Sequence, residues 1–430
     1  MSDPIVILGA GLAGIAAARE LGRDCVVLER DMSVGGTARS TRRLGFTFDV
    51  TGHWLHLSDP EVKQTIHTLL KGELVQIERR ASIHSHGVRT PYPFQANTYG
   101  LPQNVIADCV LGYFKARERA ARREHSTPTT FEDFIRERMG DGIAEHFMIP
   151  YNTKLWTVPP SAMAYEWTER FVPLPTPEEV VLGAISQRGA GHALGYNASF
   201  FYPRHGGIQT LADALARGLP IELGREVRRI DSRAKTVETP FETRRYSRLI
   251  STLPLPELVF RIADAPDAIR DAARQLRSTS VTYWNVGLMG ANRPNDAHWV
   301  YFPEAHPPFY RAGSPSAVLP SLAPAGHRSY YVEVAHPSTT SCPASDDAIL
   351  AGMREVGLMG AHEEPILFKR HTVDVAYVIM DNHYGPARQS IMDWLQQRDI
   401  SWAGRYGSWT YDSMEGALIQ GREAARKIRT

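Results

Sequence analysis

The chain opens on four consecutive apolar residues, Ile5-Val6-Ile7-Leu8, that pass directly into Gly9-Ala10-Gly11-Leu12-Ala13-Gly14. A short apolar run bounded by glycine predicts a buried strand. Ile15 to Leu21 is rich in alanine and predicts a helix, and the next apolar run, Cys25 to Leu28, predicts a second strand ending at Glu29. Further along, Asn104 to Arg123 has a helical pattern with a basic end, and Thr130 with Asp133 marks a helix start running towards Phe147. The proline-rich stretch Val172 to Pro177 predicts a loop. Short alternating segments between Arg225 and Thr252 predict strands, with Leu249 to Thr252 in the core. Val281 to Met289, His298 to Phe302 and Tyr330 to Val334 predict a further set, and Ser413 to Ile428 returns to a helical pattern. No internal repeat is present.

Composition narrows the class. The 430 residues are 43% hydrophobic and 22% charged, the balance of a globular protein with a large core. Lys plus Arg is 48 against Asp plus Glu at 47, a formal net charge of +1. A chain so balanced has no global field for nucleic acid or an anionic membrane, so any anion site must be local. Cys25, Cys109 and Cys342 form no CxxC pair and no zinc spacing, which predicts no metal site and a reducing compartment. The N-terminal residues lack the pattern of a signal peptide, and no apolar stretch reaches the roughly 18 residues of a spanning helix. The expected setting is therefore cytoplasmic, with no membrane or nucleic-acid partner.

The glycines carry the first chemistry. In GxGxxG between a strand and a helix, Gly9 permits the tight turn, Gly11 lets bare backbone approach a pyrophosphate, and Gly14 allows close helix packing. The helix start adds amide hydrogens and positive dipole. Glu29, an acidic residue about 20 positions on, is placed for a ribose hydroxyl. Gly35-Gly36-Thr37-Ala38-Arg39 follows closely after Glu29-Arg30. Together these strings resemble the branch of FAD-dependent proteins that includes amine oxidases, protoporphyrinogen oxidases and UDP-galactopyranose mutases. That resemblance implies FAD on Gly9, Gly11, Leu12, Ala13, Gly14, Glu29, Arg30, Gly36, Thr37 and Arg39.

Later strings narrow the branch. Thr51-Gly52-His53, Tyr92-Pro93-Phe94-Gln95-Ala96-Asn97 and Tyr151-Asn152-Thr153-Lys154-Leu155-Trp156 resemble stretches of the eukaryotic-type UDP-galactopyranose mutases. So do Glu169-Arg170, Asn197-Ala198-Ser199-Phe200, Tyr301-Phe302-Pro303-Glu304, Pro308-Phe309-Tyr310-Arg311 and Gly404-Arg405-Tyr406-Gly407-Ser408-Trp409. The chain is thus similar to that family over nearly its whole length. The resemblance implies a redox-neutral pyranose–furanose interconversion of a nucleoside-diphosphate sugar, in which N5 of reduced flavin is the nucleophile at the anomeric carbon. Arg170 and Arg311 would hold the diphosphate, and His53 would sit beside the flavin. Gly404, Arg405, Ser413 and Met414 would complete the cofactor site. Tyr92, Phe94, Gln95, Asn97, Asn152, Lys154, Trp156, Asn197, Tyr301 and Tyr377 would line the substrate. NAD(P)H is a candidate reductant, a homodimer a candidate assembly, and cell-surface polysaccharide synthesis a candidate setting.

The implied fold is α/β: a Rossmann-type FAD-binding domain of discontinuous segments, with a helical domain and an antiparallel β-sheet substrate domain. The expected FAD segments are 1–85, 186–255 and 385–430, with sheet segments 86–99 and 256–384 and helices over 100–185. Departures from the family pattern bear on the sugar. Thr51 stands where a glycine is common, and the stretch after Tyr377 lacks the family's prolines. Uridine is better supported than galactose, and another hexose or nucleotide stays open. The rival reading is an oxidoreductase of the amine-oxidase or protoporphyrinogen-oxidase type.

Overall fold

A computed structural model describes residues 3–122, 128–168, 172–186, 198–293 and 296–429. Ile5–Leu8 and Cys25–Leu28 pair in parallel around the helix Leu12–Leu21, as the strand–turn–helix–strand reading requires. They sit inside a five-stranded parallel sheet ordered Ile400–Trp402, Leu249–Ser251, Ile5–Leu8, Cys25–Leu28, Ile221–Glu222. Strands from both ends and the middle of the chain therefore build one sheet, which makes this region discontinuous in sequence. The last helix, Met414–Arg429, crosses Leu12–Leu21 so closely that a Cβ on Gly421 would lie 2.0 Å from the Ala13 carbonyl oxygen. This contact sets the start of Leu12–Leu21 against the middle of the last helix.

A second, seven-stranded sheet is ordered Leu367–Ile379, Arg277–Met289, His327–Pro337, Arg311–Gly313, Trp299–Tyr301, Ala81–Ser85, Val88–Pro91. It is antiparallel except where Trp299–Tyr301 runs parallel to Ala81–Ser85. The expected boundary at 85 placed Ala81–Ser85 with the parallel sheet, but its register with Trp299–Tyr301 puts it here. The boundary at 256 is also early. The helices Leu255–Arg261 and Asp267–Gln275 bury Leu255, Leu258 and Ile269 in one core with Val6, Leu8 and Leu249 of the parallel sheet. The second sheet's later segment starts at Arg277.

The helical region comprises Gln103–Ala121, Phe131–Met139, Ile149–Trp156 and Pro177–Ile185. Thr130 and Asp133 form the expected capping box. The helix does not continue unbroken to Phe147, because Gly140 packs its backbone against the carbonyl of Gly112 in the neighbouring helix. A short helical turn and a wider turn, Ala144–Met148, then lead into Ile149–Trp156. Among the described residues no helix is long and apolar enough to cross a membrane.

Candidate active site

A cavity of about 1300 Å³ runs from the ends of Ile5–Leu8 and Cys25–Leu28 to the face of the seven-stranded sheet. At the first end, Gly9, Gly11, Leu12, Ala13, Glu29, Arg30, Gly36, Thr37 and Arg39 line it, whereas Gly14 lies behind the turn. The Gly35 N–H donates to the Ala10 carbonyl at 2.8 Å, and a Cβ on Gly36 would stand 3.1 Å from Gly11 Cα. The two glycine turns thus form one bare backbone cradle at a helix N-terminus. Glu29 accepts from the Ala10 N–H at 2.6 Å and the Asp31 N–H at 2.8 Å, which pins its carboxylate at the strand end. Arg39 is held by Asp31 at 2.7 Å.

The middle of the cavity meets the loop after Phe46–Asp49. Thr51 has φ 58°, a left-handed conformation in which a β-branched residue is strained. Gly52 passes beneath Trp299 so tightly that a Cβ would lie 2.2 Å from the ring. His53 is half-buried, and desolvation of its ring, helped by the charges of Arg405 and Arg311, lowers its pKa from 6.5 to about 4. At neutral pH it is an uncharged imidazole, and its Nδ1 is a buried polar atom with no hydrogen-bond partner among the described residues. The loop's far end is fixed by Glu415, which accepts from Ser58 N–H, Ser58 Oγ and Asp59 N–H at 2.6, 2.6 and 2.7 Å. Gly404, Arg405, Ser413 and Met414 also line the cavity. Arg405 donates to the carbonyls of Ala376 (2.9 Å) and Asp412 (3.4 Å), between the rings of Tyr377 and Tyr411 at 5.0 and 4.9 Å.

Those residues fit FAD: a bare cradle and helix start for a pyrophosphate, a carboxylate for a ribose, and beyond them an orphaned imidazole nitrogen in the cavity wall.

The far end is aromatic and polar. Tyr92, Gln95, Asn152, Trp156, Tyr301, Arg311 and Tyr377 all line it, with Tyr151, Trp299, Tyr310, Glu333 and Tyr411 beside them. Trp156 donates from Nε1 to Asn152 Oδ1 at 3.2 Å and packs on Tyr377 and Tyr411. Gln95 donates to the Pro173 carbonyl at 2.6 Å, and Tyr301 accepts from Arg79 at 2.8 Å. A bulge delivers Tyr377: Val281 pairs with Val373 but Thr279 with Tyr377, so residues 374–376 face Ser280 alone. Bulges at cavity edges re-aim a side chain in this way.

Three expected lining residues are placed elsewhere. Phe94 stacks on Phe147 in the core, centroids 4.9 Å apart, and Asn97 donates to the Pro93 carbonyl at 3.0 Å. Lys154 donates to the carbonyls of Glu304 and Pro307, each at 2.6 Å, and burial lowers its pKa to about 7. It ties a loop together behind the wall. Arg170 and Asn197 lie outside the described residues.

Sequence reading missed Glu333, fully buried, which accepts from Arg311 Nε (2.9 Å), Arg311 Nη2 (2.6 Å) and the Tyr310 hydroxyl (2.5 Å) on one oxygen. Only the cross-strand register, Arg311 opposite Glu333, marks it.

The family model for flavin containing amine oxidoreductases matches residues 12–429. A crystal structure of reduced UDP-galactopyranose mutase is 27% identical with a TM-score of 0.93, covering 100% of this chain and 94% of that one. A protein provisionally described as a protoporphyrinogen oxidase, from Exiguobacterium sp. 255-15, is 18% identical with a TM-score of 0.73, over 100% and 99% of the two chains. Putrescine oxidase bound to putrescine is 17% identical with a TM-score of 0.67, again over 100% and 99%.

Proposed function

Since the chain belongs to the flavin containing amine oxidoreductases and has a flavoprotein fold like that of UDP-galactopyranose mutase, we propose that it interconverts the pyranose and furanose forms of a nucleoside-diphosphate sugar. UDP-galactose or a close hexose is the substrate of this reading. The observation that carries it is the far end of the cavity, where the guanidinium of Arg311 stands among tyrosines and tryptophans beyond the His53 loop. An amine, itself a cation, has no use for guanidinium donors in the cavity wall, whereas diphosphate oxygens accept from them.

Bound FAD in its reduced form supplies the nucleophile for the anomeric carbon, and NAD(P)H is the proposed reductant. The chain's own residues bind and orient. Arg311, its plane fixed over Trp299 at 4.1 Å, faces the departing diphosphate and stabilises its charge. Arg170, from the sequence, is its proposed partner. Tyr92 and Gln95 offer a ring face and a directional amide for the base, and Asn152, Trp156, Tyr301 and Tyr377 wall in the sugar. His53, neutral at pH 7, can donate or accept one hydrogen bond without adding charge beside the flavin.

The rival reading makes the opposite spectroscopic prediction. When oxidised holoprotein is mixed anaerobically with UDP-galactopyranose, its visible flavin band should remain unchanged. Bleaching by the sugar, or by an amine, would replace this reading with substrate oxidation.

A further inference from the structure

Glu333 has no part in the function so far. It sits on His327–Pro337 directly opposite Arg311 of the neighbouring strand, with no exposed surface, while the Arg311 side chain is 17% exposed at the cavity wall. Arg311 Nε and Nη2 both donate to Glu333 Oε2, as does Tyr310, and Oε1 has no partner among the described residues. A buried carboxylate bonded on one oxygen only is costly, so stability alone does not explain it. What the pair does is fix Arg311. Glu333 takes one edge of the guanidinium and Trp299 lies under its face, which leaves the Nη1 edge unused by the pair. It also cancels the charge of Arg311. Arg405, by contrast, bonds two carbonyls and three tyrosine rings and has no carboxylate partner among the described residues.

Resting on the nucleoside-diphosphate reading, we propose that Glu333 is a positioning residue that acts through Arg311. It presents the guanidinium as an oriented donor of nearly zero net charge, so that the diphosphate is held in place but not trapped. The reaction needs this balance, because the diphosphate must leave the sugar, wait, and be recaptured or released. Arg311 supplies direction rather than net charge.

The sign of the charge effect tests it. In the reduced holoenzyme, Glu333→Gln keeps an acceptor for Arg311 but removes the negative charge. It should bind UDP roughly three- to tenfold more tightly than wild type, with KM and kcat for the nucleotide sugar both reduced. A merely structural role would weaken UDP binding and raise KM, and either that result or unchanged affinity overturns the proposal. The double variant Arg311→Gln/Glu333→Gln gives an independent reading if the single variant does not fold. Arg311→Gln leaves a bare carboxylate facing the anion, so removing Glu333 as well should recover UDP affinity relative to Arg311→Gln alone. Equal or weaker binding by the double variant overturns the proposal. If wild-type protein binds no UDP, the nucleotide-sugar reading falls and takes this proposal with it. Binding by wild type without the Glu333 effect removes this proposal alone.

Discussion

Replacing Arg311 by alanine is expected to slow conversion of the nucleotide sugar by at least about 100-fold while leaving bound flavin at the wild-type level. The loss has two parts. The side chain takes with it the donors aimed at the diphosphate, and it strands Glu333, which has no exposed surface and, among the described residues, no other cation on its carboxylate. Breaking a buried pair from one side costs about 3–5 kcal/mol, because an uncompensated charge remains. That charge lies in the wall the anion must approach, so binding of the diphosphate suffers beyond the lost contacts. Arg311 is remote from the glycine cradle, which is why flavin content should hold. Anaerobic turnover of the reduced variant, with its flavin-to-protein absorbance ratio, checks both halves. Activity within about tenfold of wild type would remove Arg311 from the anion site.

Substituting Gly11 by valine should yield folded protein with little or no flavin. Gly11 is better suited to the test than its neighbours. Gly9 has φ 94°, and a Cβ there would stand 2.4 Å from Thr252 Oγ1, so any side chain at Gly9 disturbs the fold itself. Gly11 has φ −69° and ψ 174°, ordinary extended backbone, and its nearest neighbour to a new Cβ is Gly36 Cα at 3.9 Å. The protein tolerates the added atom; the cofactor does not, because the valine methyls enter the gap between the two glycine turns. Flavin released on denaturation and the far-ultraviolet spectrum separate the effects. Full flavin occupancy in the variant would contradict the pyrophosphate assignment.

Much of this was legible in the chain. The βαβ unit, the Thr130 capping box and the closing helix follow from local patterns, which short-range physics sets. Segment boundaries at 85 and 256 were harder, since they depend on which sheet a strand joins, a matter of long-range pairing. Within the site, Lys154 illustrates a signal that was present but unused. On the helix Ile149–Trp156, Asn152 and Trp156 are one turn apart and share the cavity face, as do Tyr151 and Leu155. Lys154, two positions from each of Asn152 and Trp156, must point away. Phe94 and Asn97 had no such signal, because the short turn Phe94–Ala96 sends successive residues to different sides. Glu333 was invisible for a third reason: its partner lies on another strand, and register is a property of the folded sheet.

On the proposed reading, a reduced flavin and an anion-holding wall together rearrange a nucleotide sugar without net oxidation. The most direct measurement is anaerobic incubation of the dithionite-reduced protein with UDP-galactofuranose, resolving nucleotide sugars by chromatography. Appearance of UDP-galactopyranose with reduced protein and its absence with oxidised protein is the predicted result. No conversion by protein that carries a bound, reducible flavin would contradict the claim for this substrate.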